Sequence, residues 1–290
     1  MFVIFHQNMQ KFNGANAVRN AAFVTQMGAI GAALGPTLGV AGYTELISNL
    51  PAMHAALPPI ATALDGGLTN RLVICVGKTS VGNALEYIGI VWDPGMLNVQ
   101  HAGQVLWDPV NRRWGAARNT TAPFPANRNI LLPGVQNYGA DTRGLAYIAC
   151  RRVLNNNPFI IGFLHNMYSI GDRTAAMQNL DTMASRARAA AGAAYAAAEI
   201  IIGGDFNVQP PPAARPSRKR ARGAALRLTT RVFRNGFGVA QNTTLANPYD
   251  YWLVSDAIGI TDAHARRYTQ TRWDVNMNCS DHAGVTLDRN

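Results

Sequence analysis

The residues EIIIGGDFNV, Glu199 to Val208, pass within ten positions from a fully apolar run to a cluster of small and polar groups. Ile200, Ile201 and Ile202 are consecutive β-branched residues, the pattern of a strand covered on both faces, and the Gly203-Gly204 pair then permits a tight turn that ends the strand. Just beyond stand Asp205, whose carboxylate only accepts, and Asn207, whose amide donates and accepts. At the carboxyl end of a buried strand, where open α/β sheets gather their ligands, such a pair can hold a hard cation or orient a water beside a phosphate. The same residues also spell an Asx turn, and on this stretch alone the two readings balance.

A second stretch repeats the pattern. Phe159 to Leu164, FIIGFL, is fully apolar and delivers His165-Asn166 at its end. Between the two runs, Thr174 to Ala198 is Ala-rich, with Met177, Leu180, Met183 and Ala184 spaced for one helix face, so the segment reads strand, helix, strand. His165 and Asp205 are then expected on neighbouring strand ends. A lone His after an apolar run is usually structural; two such ends in succession shift the balance toward function.

The rest of the chain supplies more strands with polar ends. Phe2 to Phe5 reads as a short strand that runs out at His6, leaving Asn8 at its end. Asn16 to Leu34 reads as a helix with Asn16 as its N-cap, and Leu38 to Leu46 as a strand carrying Glu45. A carboxylate among Val40, Tyr43, Leu46 and Ile47 is costly to bury unless paired or metal-bound, although an exposed strand-end Glu is the commoner case. Asn49 to Leu64 reads as a helix broken by Pro58-Pro59, followed by strands over Arg71 to Val76 and Leu85 to Trp92, with Glu86 opening the latter. Asn98 to Gly134 alternates irregularly and reads as a strand or two with long surface loops. Arg143 to Cys150 is a strand with Arg143 at its start; Asp250 begins another, DYWLV; and Ser280-Asp281-His282 leads into a closing strand, Ala283 to Leu287.

The 290 residues are 48% hydrophobic and no long polar linker divides them, so one domain spanning 1–290 with a substantial core is expected. The formal charge is +10, from 26 Lys+Arg against 16 Asp+Glu, which points to polyanions, nucleic acid before anionic lipid headgroups. Much of it gathers in a basic, Pro-rich loop at about 209–224, where RPSRKRAR spans 215–222. That run reads first as a solvated loop, then as a phosphate contact or a nuclear-import signal. Cys75, Cys150 and Cys279 are odd in number, have no metal-ligand spacing and are expected as buried free thiols, with a single disulfide as the alternative. MFVIFHQNMQ shows no Sec-type signal peptide, and Ala21 to Ala41, interrupted by Gln26, Pro36 and several glycines, is a poor membrane span.

Hydrolysis of a phosphate ester needs a cation on the phosphoryl oxygens, an acceptor to orient water and a donor for the developing charge. The strand-end residues Asn8, Glu45, Glu86, His165, Asp205, Asn207, Asp250, Asp281 and His282 contain every part, and two imidazoles among several carboxylates suggest His–carboxylate pairs. No Gly-rich phosphate loop, CxxC signature or GxSxG elbow competes.

Asn8-Met9-Gln10, Glu45, His165 after FIIGFL, Gly204-Asp205-Phe206-Asn207, Asp250-Tyr251 and Ser280-Asp281-His282 together resemble the endonuclease/exonuclease/phosphatase superfamily, the fold of pancreatic-type deoxyribonuclease. Within it, LEYIGIVWDP, TRGLAYI and NTTLANPYDYWLVS are most similar to the nuclease subunit of cytolethal distending toxins. The resemblance implies an α/β fold: a four-layer α/β/β/α sandwich of two mixed sheets flanked by helices. It implies Mg2+, with Mn2+ or Ca2+ as alternatives, on Glu45 and Asp281 with Asn8 close by. It casts Asp205 and Asn207 as orienting water and phosphate, and Arg143 as a phosphate-binding arginine. His165, supported by Glu86, and His282, supported by Asp250, become general acid/base and transition-state donors. Two positions depart from the pattern: Thr44 stands where a Gln usually precedes the metal-binding Glu, and Ile47 replaces an arginine that some deoxyribonucleases use in the minor groove.

The first expectation is therefore a metal-dependent endonuclease cutting DNA with little sequence preference, a toxin or effector delivered into a target cell, with nuclear entry through 215–222 and a delivery partner or immunity protein as companions. The second is a phosphatase of phosphoinositides or other phosphomonoesters, since one fold serves both. A third, an inactive binding module, sits poorly with so complete a set of polar residues.

Overall fold

The computed structural model describes residues 2–35, 37–47, 50–78, 84–124, 142–208, 249–255, 268–273 and 276–289. The basic 209–224 loop lies outside the described residues. Two mixed sheets stack face to face. The first has the order β12 (Tyr268–Arg272), β13 (Val285–Arg289), β1 (Phe2–Phe12), β2 (Leu38–Ile47), β4 (Leu85–Trp92), β3 (Asn70–Lys78). The second runs β11 (Asp250–Ser255), β10 (Glu199–Asp205), β9 (Pro158–His165), β8 (Gly144–Arg152), β5 (Leu97–Asp108), β6 (Arg113–Trp114), with β7 (Arg118–Thr121) also on β5. Helices α1 (Ala17–Leu34) and α2 (Leu50–Leu64) cover the outer face of the first sheet, and α3 (Ile170–Gln178) and α4 (Leu180–Ala191) that of the second, giving the four-layer sandwich.

The layering follows from the apolar pattern. Alternate residues Phe2 and Ile4 of β1 meet Ile161 and Phe163 of β9 in the core between the sheets, while Val3 and Phe5 face α1 and α2. The triple isoleucine divides likewise: Ile201 points to the inter-sheet core, Ile200 and Ile202 toward α3 and α4. A strand buried on both faces needs apolar residues at every position, which is what the run supplies. The three cysteines are free and buried.

Several boundaries differ from the sequence reading. β1 continues through His6 to Phe12, so Asn8 lies within the strand, followed by a register shift before Phe12 in which Gln10 and Lys11 adopt positive φ. β10 does not end at Gly203-Gly204 but runs to Asp205; Gly204 has φ +155, and an added Cβ would stand 1.9 Å from the Leu164 carbonyl oxygen, so the glycine serves close strand approach rather than a turn. α2 is not broken at Pro58-Pro59, because burial of Met53, Leu57, Ile60 and Leu64 against the sheet outweighs the two missing N–H donors. The single helix expected over 174–198 is two, divided at Asn179, whose side-chain amide donates to Ala175 O, and followed by a 3-10 turn at Ala193–Tyr195. The irregular stretch from Asn98 holds most of β5, the longest strand among the described residues; a register shift between Val99 and His101 breaks its alternation and hides the two-residue period.

Candidate active site

Strand register brings the two apolar runs together as expected: β9 and β10 are parallel with His165 opposite Asp205, and antiparallel β11 places Asp250 opposite Asp205 on the other side. From the facing sheet come Asn8 on β1, Glu45 on β2, Glu86 on β4, and Asp281 and His282 just before β13. Each imidazole is paired across the gap between the sheets. His165 Nδ1 bonds Glu86 Oε1, and His282 Nδ1 lies 2.7 Å from Asp250 Oδ2. Their other nitrogens converge: His165 Nε2 and His282 Nε2 each stand 3.8 Å from the same atom, Asp205 Oδ2.

Asp205 is itself held in place. Asn8 Nδ2 donates to its Oδ2 at 3.0 Å and the Asn207 backbone N–H to its Oδ1 at 2.8 Å. Asn207, at φ +51, turns its side chain so that Nδ2 donates to Asn166 O at 3.1 Å. A non-glycine residue in this left-handed region costs about 1 kcal/mol or more and persists where surrounding contacts demand it. The same conformation recurs at Glu45, φ +57, in a register shift of β2 between Tyr43 and Leu46; Lys11 N–H, in the matching irregularity of β1, donates to Glu45 Oε2 at 3.2 Å. Two adjacent strands thus bulge at one level and bring Glu45 Oε1 within 3.5 Å of His165 Nε2.

Charge is distributed by these pairings. Burial opposes charge on the His282 ring, but Asp250, then Asp205 and Asp281, outweigh it and push its pKa up to about 10. Burial and Arg143 likewise oppose protonation of His165, and Glu86 with Glu45 overcomes them, so its pKa is raised. Glu86 is fully buried, which works against its carboxylate, yet His165 and Arg143 hold it below the usual carboxylate range. Arg143 Nε lies 3.2 Å from Glu86 Oε2 and its Nη1 donates to Asn166 O, so it stands behind the Glu86–His165 pair with only a small part of its side chain open to solvent.

For a cation, the donor chemistry fits. Glu45 and Asp281 offer hard carboxylate oxygens on the same sheet, and Asp281 Oδ1 is a buried atom with no hydrogen-bond partner among the described residues, 3.7 Å from His282 Nε2. No three His, Cys, Asp or Glu among the described residues form a ready-made cage. Mg2+ requires none, since it takes one or two carboxylates and completes its shell with water and substrate oxygens. Asn8 Oδ1, the atom a cation would take, accepts the Gln10 N–H at 2.8 Å, so Asn8 here braces Asp205.

Sequence reading gave no role to several residues that tie the site together. Gln7 Nε2 donates to His282 O at 2.8 Å, Ser280 Oγ to Asn8 O at 2.8 Å, and Asn166 Nδ2 to Phe206 O at 2.8 Å, tying the His282 and Asp205 loops to their neighbours. His6 is fully buried beneath them, 3.8 Å from Asp250 Oδ1, and burial holds its pKa down at about 3. The one signal for it was the change from the apolar run Phe2 to Phe5 to the polar His6-Gln7-Asn8 within the opening strand. Among the described residues no helix is long and apolar enough to cross a membrane.

No family model matches this chain, and no curated protein matches it. Solved structures do. The fold is similar to that of a mannosyl-6-phosphatase from Bacteroides thetaiotaomicron (13% identity, 99% of each chain covered, TM-score 0.56). It is similar to an endonuclease/exonuclease/phosphatase family protein from the same organism (13% identity, 99% of this chain and 96% of that one, TM-score 0.54). The human Nocturnin catalytic domain, solved with bound sulfate, aligns over 100% of this chain and 94% of its own at 11% identity and TM-score 0.58. The chain has the endonuclease/exonuclease/phosphatase sandwich fold.

Proposed function

We propose that this protein is a divalent-metal-dependent phosphoesterase whose substrate is the phosphodiester backbone of DNA, cut with little sequence preference. The observation that carries the reading is the convergence of two carboxylate-backed imidazoles on one oxygen of Asp205. A phosphoryl group placed between them meets an N–H from each ring while Asp205 faces it with an acceptor. Asp205, pinned by Asn8 and Asn207, orients the attacking water and accepts its proton. His282, whose pKa Asp250 raises above the ordinary imidazole range, donates to a phosphoryl oxygen as negative charge develops. His165 gives the leaving oxygen its proton as the phosphorus–oxygen bond breaks, and Glu86 and Arg143 keep its ring in place. Glu45 and Asp281 would hold Mg2+ (Mn2+ or Ca2+ as substitutes), which supplies charge neutralisation on the phosphoryl oxygens.

DNA as substrate is supported by the charge of +10 and by the basic 215–222 run, because phosphate contacts give affinity without reading bases. A role as a delivered toxin or effector, with an immunity or delivery partner and nuclear entry through the basic run, extends this reading and rests on the sequence resemblance. A phosphomonoesterase is the competing reading, supported by the phosphatase among the fold neighbours. Supercoiled plasmid incubated with the protein and Mg2+ is expected to become nicked, and chelator to stop it. Release of inorganic phosphate from phosphoinositides or sugar phosphates without nicking would replace the nuclease reading with the phosphatase one.

A further inference from the structure

The inward-facing row of β1 reads Phe2, Ile4, His6, Asn8: two residues of the inter-sheet core, then an imidazole, then the amide that braces Asp205. His6 has no solvent exposure and its ring stacks on Phe163, centroids 6.1 Å apart and planes 20° from parallel. An apolar side chain would continue the row and lie against Phe163 without the penalty of burying two ring nitrogens. The ring instead has a polar orientation. Nε2 is 3.1 Å from Thr44 Oγ1, and Nδ1, which makes no hydrogen bond among the described residues, lies 3.8 Å from Asp250 Oδ1. Asp250 Oδ2 is the atom bonded to His282 Nδ1.

We infer that His6 is a positioning residue for the reaction: it fixes the rotation of the Asp250 carboxylate through Oδ1 and thereby the orientation of His282 on the far oxygen. This rests on the reading of Asp250 and His282 as part of the hydrolytic centre. An acceptor-only carboxylate in front of Nδ1 sets the proton there, which leaves Nε2 to accept from the Thr44 hydroxyl. The 3.8 Å separation exceeds a formed hydrogen bond, and on this inference it shortens in the substrate complex, as catalytic contacts in unliganded enzymes often do. Thr44, standing where a Gln commonly precedes the metal-binding Glu in the resembled superfamily, becomes the partner that selects the His6 tautomer.

The test compares His6→Phe, His6→Asn and His6→Gln, alone and with Asp250→Asn, on a DNA phosphodiester substrate. His6→Phe keeps the stacking and is expected to lower kcat about 10- to 100-fold with little change in KM, the usual effect of removing a residue behind a site. His6→Asn presents an N–H near the Nδ1 position and recovers kcat to within about threefold of wild type, whereas His6→Gln, with its N–H reaching toward Thr44, does not recover it. In the Asp250→Asn background His6→Phe costs nothing further. Independently of any substrate, imidazole NMR is expected to show His6 protonated at Nδ1, with the downfield proton of the His282–Asp250 bond kept in His6→Asn and shifted in His6→Phe. An equal loss in both backgrounds, an Nε2-protonated His6, or an unmoved downfield proton overturns the inference. If the wild-type protein hydrolyses no phosphoester, the functional reading fails by itself, and the ring spectra still decide the part played by His6.

Discussion

Replacing Asp250 by Asn removes the strongest attraction on a buried imidazolium and leaves the shape of the strand end intact. At about 1.4 kcal/mol per pH unit, the rise of His282 from its ordinary 6.5 to about 10 amounts to roughly 5 kcal/mol of preference for the charged ring. Asp205 and Asp281 share in that preference, and part of the His282 side chain reaches solvent, so about 3 kcal/mol is assigned to Asp250. The sign follows from linkage. A group whose pKa is raised on folding contributes its full stability below the unfolded value and loses it as pH climbs through the folded one, so the Asp250 contribution is complete below pH 6.5 and fades toward pH 10. Urea unfolding in chelator at pH 6, 8 and 10 measures it. Asp250→Asn should cost about 3 kcal/mol at pH 6, less at pH 8 and much less at pH 10, where His282 discharges in both proteins. Titration of lysines and tyrosines is common to the pair and cancels in the difference. The same destabilisation at all three pH values would show that Asp250 acts through packing alone and that His282 is neutral across the range.

Three further outcomes are expected. Asn8→Ala frees one oxygen of Asp205 and should lower kcat about 10- to 100-fold while the thermal midpoint moves by only a few degrees; unchanged turnover would remove Asn8 from the support of Asp205. Gly204→Ala sets a Cβ 1.9 Å from a backbone oxygen at φ +155 and should cost about 3 kcal/mol or more in urea unfolding, so wild-type stability would contradict the β9–β10 register. Deleting 215–222 removes five Lys and Arg and should flatten the log–log salt dependence of DNA binding by up to about 4, whereas an unchanged slope means the run touches no backbone phosphate.

His165 and Asp205 were legible in the sequence as neighbours because each stands where an apolar run gives way to a polar group. Ile200 to Ile202 followed by Asp205, and FIIGFL followed by His165, needed only periodicity to be placed side by side. Glu45 was harder. Its surroundings read equally as an exposed strand end, and what turns it toward His165 is a pair of bulges in β1 and β2, which depend on inter-strand register. His6 gave less still, since a His in an apolar strand is usually structural, and its contact with Asp250 joins residues from opposite ends of the chain. The long β5 was obscured for a related reason, because a single register shift swaps which residues face inward and erases the alternation.

Both imidazole pairs, and the Asn8 brace as well, join a residue of one sheet to a residue of the other. On the proposed function, neither half of the sandwich owns a working set of reagents, and a newly made chain would stay inert until its two β-layers dock. On that same reading, loosening the seam would silence turnover while circular dichroism still reported native strands, and loss of activity would give the earliest warning that the halves have begun to part.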